Sequence, residues 1–293
     1  MINNPSQDSK NPLSVRCRGR VLHLESPVVM GILNTTPDSF SDGGEFIEPE
    51  SALNRISEMA NQGAHIIDIG GESTRPGSEP VSVHTELQRT IPIVEQARRD
   101  HPGLLFSIDT TKFEVARKAL DAGADIINDV SSLRKEPRFA DLCAETGAAY
   151  ICMHSQGDPK TMQKNPTYSD VVEDVLERLG ELKLQLNSRG VDNIIMDPGI
   201  GFGKTTEHNL QLIAELPRFK ALKCPILMGA SRKSLIGSLL GGRPAGERLA
   251  GTIALHYHSL MMGASILRVH DVREAVDSVK IFNALKKANL KRQ

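Results

Sequence analysis

No apolar run in this chain approaches the roughly 20 residues that a membrane-spanning helix needs. Residues 1–12 are polar and have no hydrophobic stretch of the kind a secretory signal carries. They read as a loose arm, and no export is expected. A charge of one sign is also missing. With 35 Lys and Arg against 36 Asp and Glu, the net charge is −1. That argues against a general polyanion-binding surface, and so against nucleic acid as a partner, while leaving room for a local basic pocket. No two cysteines have Cys-x-x-Cys spacing. Cys17, Cys143, Cys152 and Cys224 read as buried, reduced thiols of a cytoplasmic chain. No linker or second domain is evident. A composition of 39% hydrophobic and 24% charged residues over 293 positions suits one large soluble core.

What is present is a recurring unit: a helix end, a glycine, a short apolar run and a polar residue. Gly63-Ala64-His65-Ile66-Ile67-Asp68 is the first copy, and Gly123-Ala124-Asp125-Ile126-Ile127-Asn128 is the second. Others begin at Gly147, Gly190 and Gly263 and reach His154, Asp197 and His270. Glycine suits the left-handed position that stops a helix. The apolar runs are too short for helices and fit strands buried on both faces. The glycines are 60, 24, 43 and 73 residues apart, which excludes a solenoid of fixed period. Helix, turn and buried strand in alternation indicate a parallel α/β fold.

Taken in order, the chain shows a short β-hairpin near 16–24 and a strand over 28–34. Further strands end near Asp68, Asp109, Asn128, His154, Asp197, Gly229 and Val269, each followed by helical periodicity. Eight strands with a helix after each is the closing number of a (β/α)₈ TIM barrel. An open doubly wound sheet is the alternative. The expected organisation is a flexible arm over 1–13, a single barrel domain over 14–288 that includes the hairpin, and a basic tail over 289–293. Ser82 is expected to cap a helix that carries Pro92 as a kink, and Asp271 to cap the last helix. Two stretches rich in Gly, Pro, Ser and Asp, 35–45 and 72–80, read as mobile loops.

In a barrel the polar strand ends share one rim, where such enzymes place their sites. Asp109, Asn128 and Asp197 offer acceptors there, and Asn128 adds donors. Each alone is more often a cap or turn residue. Together they suit a flat heterocycle with adjacent N–H donors, and Lys233 can add a cation for a carbonyl or ring nitrogen. Arg268 and His270 lie on one face of an extended segment and, with Arg75, make an anion site. Gly203-Lys204-Thr205 and Gly199-x-Gly201-x-Gly203 have the spacing of neither a P-loop nor a dinucleotide fingerprint. Their glycines are read instead as places where the backbone approaches something closely. His154 and Cys152 have no further ligands at metal-site spacing.

These residues sit in stretches that closely resemble the dihydropteroate synthase family. They are Met30-Gly31-Ile32-Leu33-Asn34-Thr35-Thr36-Pro37-Asp38-Ser39-Phe40-Ser41-Asp42-Gly43, Asp68-Ile69-Gly70-Gly71-Glu72-Ser73-Thr74-Arg75-Pro76-Gly77, Asp197-Pro198-Gly199-Ile200-Gly201-Phe202-Gly203-Lys204, Gly229-Ala230-Ser231-Arg232-Lys233 and Arg268-Val269-His270-Asp271-Val272. The resemblance implies a (β/α)₈ barrel, a homodimer, and condensation of 7,8-dihydropterin-6-ylmethyl diphosphate with p-aminobenzoate to dihydropteroate. It implies a pterin pocket of Asp109, Asn128, Asp197 and Lys233. Diphosphate falls to Asn34, Arg75, Arg268 and His270, and Asn34 also reaches Mg²⁺. The p-aminobenzoate site is implied at Thr74, Pro76, Phe202, Ser231 and Lys233. Asp109, Lys233 and Arg268 are the expected catalytic groups, in an SN1-like displacement that needs no nucleophilic triad. Ser155 departs from the family, which often has methionine there. Two other readings are a related barrel that presents methyltetrahydrofolate to a corrinoid protein, and a non-catalytic regulatory barrel. The first has no reason for Arg75 together with Arg268-x-His270.

Overall fold

Short strands with inward and outward faces build this molecule from its axis outward. The computed structural model describes residues 14–36, 49–73, 78–157 and 161–290. Strands β1 (Ser14–Cys17) and β2 (Arg20–His23) pair antiparallel as the expected hairpin. Eight further strands follow: β3 (Val28–Asn34), β4 (Ile66–Gly70), β5 (Leu105–Asp109), β6 (Ile126–Asp129), β7 (Ala149–Met153), β8 (Ile194–Asp197), β9 (Leu227–Met228) and β10 (Ile266–Val269). They pair in the order β8-β7-β6-β5-β4-β3-β10-β9, all parallel. A parallel bridge between Met196 and Ile226 joins the two ends, with the Met196 N–H donating to the Pro225 carbonyl at 2.9 Å. The sheet is therefore a barrel, and the open-sheet alternative falls.

The seventh barrel strand, expected over 225–229, pairs regularly only at Leu227–Met228. Pro225 has no N–H to give to a ladder, so pairing begins with its carbonyl alone. His154 and His270 each fall one residue past a strand end, while Asp68 lies inside β4.

Around the barrel run α1 (Pro49–Gln62), α2 (Val83–Asp100), α3 (Phe113–Asp121), α4 (Phe139–Thr146), α5 (Val171–Ser188), α6 (Thr206–Ala214), α7 (Ser234–Leu239), α8 (Leu249–Met262) and α9 (Val272–Leu290). The five glycines before strands all have positive φ, between 70° and 113°. Ser82 caps α2 as expected, its hydroxyl accepting from the Thr85 N–H at 3.0 Å. Pro92 lies inside α2, which runs on to Asp100. Asp271 precedes α9, and its carboxylate accepts from Arg232 Nε at 2.9 Å.

The period of two divides the core. Outward residues such as Ile67, Phe106, Ile127, Tyr150 and Met196 pack against the helices. Inward residues Met30, Ile66, Leu105, Ile126, Ile195, Leu227 and Ile266 form one apolar cluster with Val15, Cys17, Leu22 and Leu24 of the hairpin region. The hairpin thus plugs the N-terminal end of the barrel. The next inward positions toward the other end are polar, and there the site begins.

Candidate active site

Strand parity decides which acids reach the barrel interior. Asn128 shares the inward face of β6 with Ile126, whereas its neighbour Asp129 faces the helices. Asp129 there accepts from the Ser131 and Leu133 N–H groups at 2.8 and 2.9 Å and from the Tyr150 hydroxyl at 2.8 Å. Asp129 is a turn-stabilising acid, and Asn128 belongs to the mouth.

At the mouth four side chains from four strands meet. Arg268 of β10 donates from Nε to Asp68 Oδ2 at 2.7 Å and from Nη2 to Asp109 Oδ2 at 2.9 Å. Asn128 Nδ2 donates to the same Asp68 oxygen at 3.0 Å. Asp68 Oδ1 and Asp109 Oδ1 are buried without a hydrogen-bond partner. Burial, followed by the like charge of Asp68, pushes the Asp109 carboxyl well above its ordinary range. Asp68 and Asp109, near the apolar axis, hold Arg268 charged despite its burial.

The loop after β8 supplies the opposite wall. Asp197 accepts from the Gly199 N–H at 2.7 Å, and burial raises its pKa. A Cβ on Gly229 would stand 3.9 Å from Asp197 Oδ2 and 4.0 Å from Arg268 Cβ, so Gly229 separates these two groups. Lys204 is buried, and its ammonium reaches His154 Nδ1 at 2.9 Å and the carbonyls of Gly199 and Phe202 at 2.9 and 3.1 Å. Lys204 therefore staples its own loop, consistent with the absence of P-loop spacing. The close approaches expected of the glycines are present. A Cβ on Gly199 would lie 1.8 Å from the His154 carbonyl, and one on Gly203 2.4 Å from that of Gln156.

Lys233 lies over the ring of Phe202, its Nζ 4.5 Å from the centroid, and donates to the Ile200 carbonyl. Burial pulls it down to about 8, against the attraction of Asp197. Phe202 is half-buried, with Lys233 over its ring. Between Ser231 and Lys233, Arg232 takes a left-handed conformation, φ 58°. Such a conformation costs a non-glycine residue about 1–3 kcal/mol. The Arg232 ion pair with Asp271 and its N–H bond to Thr252 Oγ1 at 3.0 Å offset that cost. Ser231 Oγ and His270 Nδ1 are 3.0 Å apart. Asn34 is half-buried at the end of β3, opposite Gly70. A Cβ on Gly70 would be 3.9 Å from Asn34 Oδ1 and 3.5 Å from Asp109 Cβ.

The structure thus gathers Asp109, Asn128 and Arg268 in one network, with Asp197, Lys233 and Phe202 on the next wall and Ser231 with His270 beyond. Arg268, expected at diphosphate, has its guanidinium among the carboxylates expected at pterin. Thr74, Arg75 and Pro76 lie outside the described residues, as does most of the 35–45 loop. Ser155 donates to the Val130 carbonyl at 2.9 Å, beside the rim. Sequence reasoning left two residues out of the site. Asp68 could have been found from its parity with Ile66, and Lys204 only from the tertiary packing. Among the described residues, no group of three or more His, Cys, Asp or Glu could hold a metal. Asn34 is there as one oxygen donor, which suits a Mg²⁺ ion whose other ligands are phosphate oxygens and water.

A family model described as pterin binding enzyme matches residues 30–270. This chain belongs to the pterin-binding enzyme family. Dihydropteroate synthase of Synechocystis sp. is 48% identical over 259 residues, covering 88% of this chain and 89% of that protein. Among solved structures, the Xanthomonas albilineans dihydropteroate synthase with 4-aminobenzoic acid is 43% identical. It superposes with a TM-score of 0.87, covering 94% of this chain and 98% of that one. The enzyme of the same organism in complex with 7,8-dihydropteroate is 41% identical, with a TM-score of 0.84, covering 93% and 98%.

Proposed function

We propose that this pterin-binding barrel is a dihydropteroate synthase. It joins the methylene of 7,8-dihydropterin-6-ylmethyl diphosphate to the amine of p-aminobenzoate, releasing diphosphate and a proton. The observation that carries the reading is the buried Asp109 Oδ1, an acceptor with no partner at the mouth of an apolar barrel. Unsatisfied buried carboxylate oxygens are costly, and a ligand presenting N–H donors satisfies them. Asp109 and Asp197 take the amino-pyrimidine edge of the pterin. Asn128 supplies both a donor and an acceptor, and Lys233 takes a ring nitrogen or carbonyl.

The leaving diphosphate is held by Asn34, Arg75, Arg268 and His270. Mg²⁺, with Asn34 as its protein ligand, would neutralise charge on the leaving oxygens. The C–O bond breaks ahead of attack, and the electron-rich ring delocalises the positive charge left on the methylene. Buried carboxylates beside the ring favour that charge. p-Aminobenzoate is received by Thr74, Pro76, Phe202, Ser231 and Lys233. Its amine attacks the methylene and then loses a proton.

The protein acts as a homodimer in this reading. Met261 of α8 and Ile281 and Leu285 of α9 are exposed apolar side chains on two helices whose Tyr257 and Phe282 rings pack together. Sedimentation of the parent and of Met261→Glu tests this, and a monomeric parent sinks it. No described helix is long and apolar enough to cross a membrane. Burial pushes the Cys17 and Cys152 thiols up to about 12, which leaves them poor nucleophiles, and a cytoplasmic location is part of this reading. The enzymatic reading is tested by diphosphate release. Release must depend on adding p-aminobenzoate and must match dihydropteroate formed; binding without turnover would return the chain to the regulatory reading.

A further inference from the structure

We propose that Asp68 is a positioning residue for the transfer reaction, sharing Arg268 with Asp109 and orienting Asn128, so that one carboxylate balances the pterin and diphosphate halves of the site. The inference rests on the function proposed above.

Asp68 is wholly buried, and in the register it pairs with Ser107, one inward step deeper than Asp109. Its Oδ2 accepts from Arg268 Nε at 2.7 Å and from Asn128 Nδ2 at 3.0 Å, and it lies 2.5 Å from Arg268 Nη2 in the ion pair. Its Oδ1 is buried and partnerless. Two carboxylates therefore compete for one guanidinium. Without Asp68, Arg268 would close on Asp109 alone, and a pterin N–H would have to displace it. With Asp68, Arg268 stays anchored while Asp109 turns to the pterin. Asp68 also neutralises part of the cation that faces diphosphate. Asn128 depends on the same oxygen for the direction of its amide.

The two halves should consequently respond with opposite sign to the loss of this one charge. Asp68→Asn keeps the shape, and Asp68→Ala leaves Arg268 its bond to Asp109. Calorimetry with inorganic diphosphate, and separately with a hydroxymethyl pterin lacking the diphosphate, reads both halves. We expect diphosphate to bind about fivefold more tightly and the pterin about fivefold more weakly in each folded variant, an ordinary size for coupling between sites. Weakening of both ligands, or of neither, overturns the inference, since simple loss of structure would not strengthen anion binding. A parent protein that fails to bind the pterin overturns the proposed function instead.

Should neither variant fold, the parent decides. Diphosphate draws on Arg268 and frees Asp109, so each ligand should tighten the other by the same factor. Pterin affinity unchanged by saturating diphosphate rejects the sharing of Arg268.

Discussion

The two ends of the barrel use the same pair of residue types to different ends. Near the N-terminal end, Asp125 accepts from Arg20 at 2.9 Å, from Arg98, and from the Phe106 N–H at 2.9 Å. Both its oxygens are filled, and apolar side chains of the hairpin cover that end. At the C-terminal end, Arg268 holds Asp68 and Asp109, and each keeps one buried oxygen with no partner. An acid–arginine cluster is therefore not itself a mark of function. The mark is incomplete satisfaction on the inward face of the barrel mouth, since Glu86 Oε1 is also buried and partnerless in an ion cluster with Lys112 away from the barrel axis. The Asp125 cluster is fully paired, whereas Asp68 and Asp109 each carry a buried oxygen without a partner.

The largest expected effect would break this contrast or confirm it. Asp125→Ala leaves Arg98 and the Phe106 N–H without their buried partner, and losing one member of a buried pair costs about 3–5 kcal/mol. Thermal melting should show a drop of about 6 °C or more, with the ligand affinities of the folded protein unchanged. Asp109→Asn should do the reverse. Pterin affinity falls about tenfold or more, as charge-assisted hydrogen bonds are lost, while the melting temperature holds or rises. A large Asp109→Asn destabilisation with intact pterin binding would erase the distinction between the two ends.

Gly199→Ala sharpens the comparison inside the mouth. The added methyl would meet the His154 carbonyl, so the 197–204 loop must shift and carry Asp197 and Phe202 with it. Both pterin and p-aminobenzoate should bind more weakly by isothermal titration, and diphosphate should be unaffected. Uniform weakening of all three would mean that the loop is not a separate wall.

A smaller effect concerns pH. Burial has lowered Lys233 to about 8, so its proton is bound below that pH and lost above it. If the ammonium contacts the pterin, affinity should fall as pH rises through about 8. Asp109, pushed up to about 8 by burial, ionises over the same range and opposes that fall, so the Lys233 contribution is read as the difference between the parent and Lys233→Met. By fluorescence titration, Lys233→Met should hold or gain pterin affinity as pH rises through about 8, relative to the parent, and an identical pH dependence in both proteins assigns the loss elsewhere.

The smallest effect is expected at Ser82→Ala. Loss of the cap on α2 costs about 1 kcal/mol and should leave kcat/KM unchanged, although Ser82 follows the 72–80 loop closely in sequence. A change in p-aminobenzoate KM would show that the helix start helps to set that loop.

Much of this molecule was legible before any coordinates. Short apolar runs, five of them behind helix-stopping glycines, gave eight strands, because buried parallel strands leave a local signature that needs no partner to be read. Motif residues Asp109, Asn128, Asp197, Lys233, Phe202, Arg268 and His270 all reach the C-terminal mouth, since parity and strand ends are local properties as well. How these groups satisfy one another is settled only by the folded barrel. Arg268 and Asp68 are 200 residues apart in sequence, and no pattern along the chain says that the arginine will turn to two carboxylates. Nor does it say that Lys204 will fold back on its own loop's carbonyls while Asp129 faces helices and Asn128, beside it, faces the axis. The physical reason is that hydrogen bonding and desolvation depend on which groups closure of the barrel brings within about 3 Å. That is a property of the assembled sheet, not of any one strand.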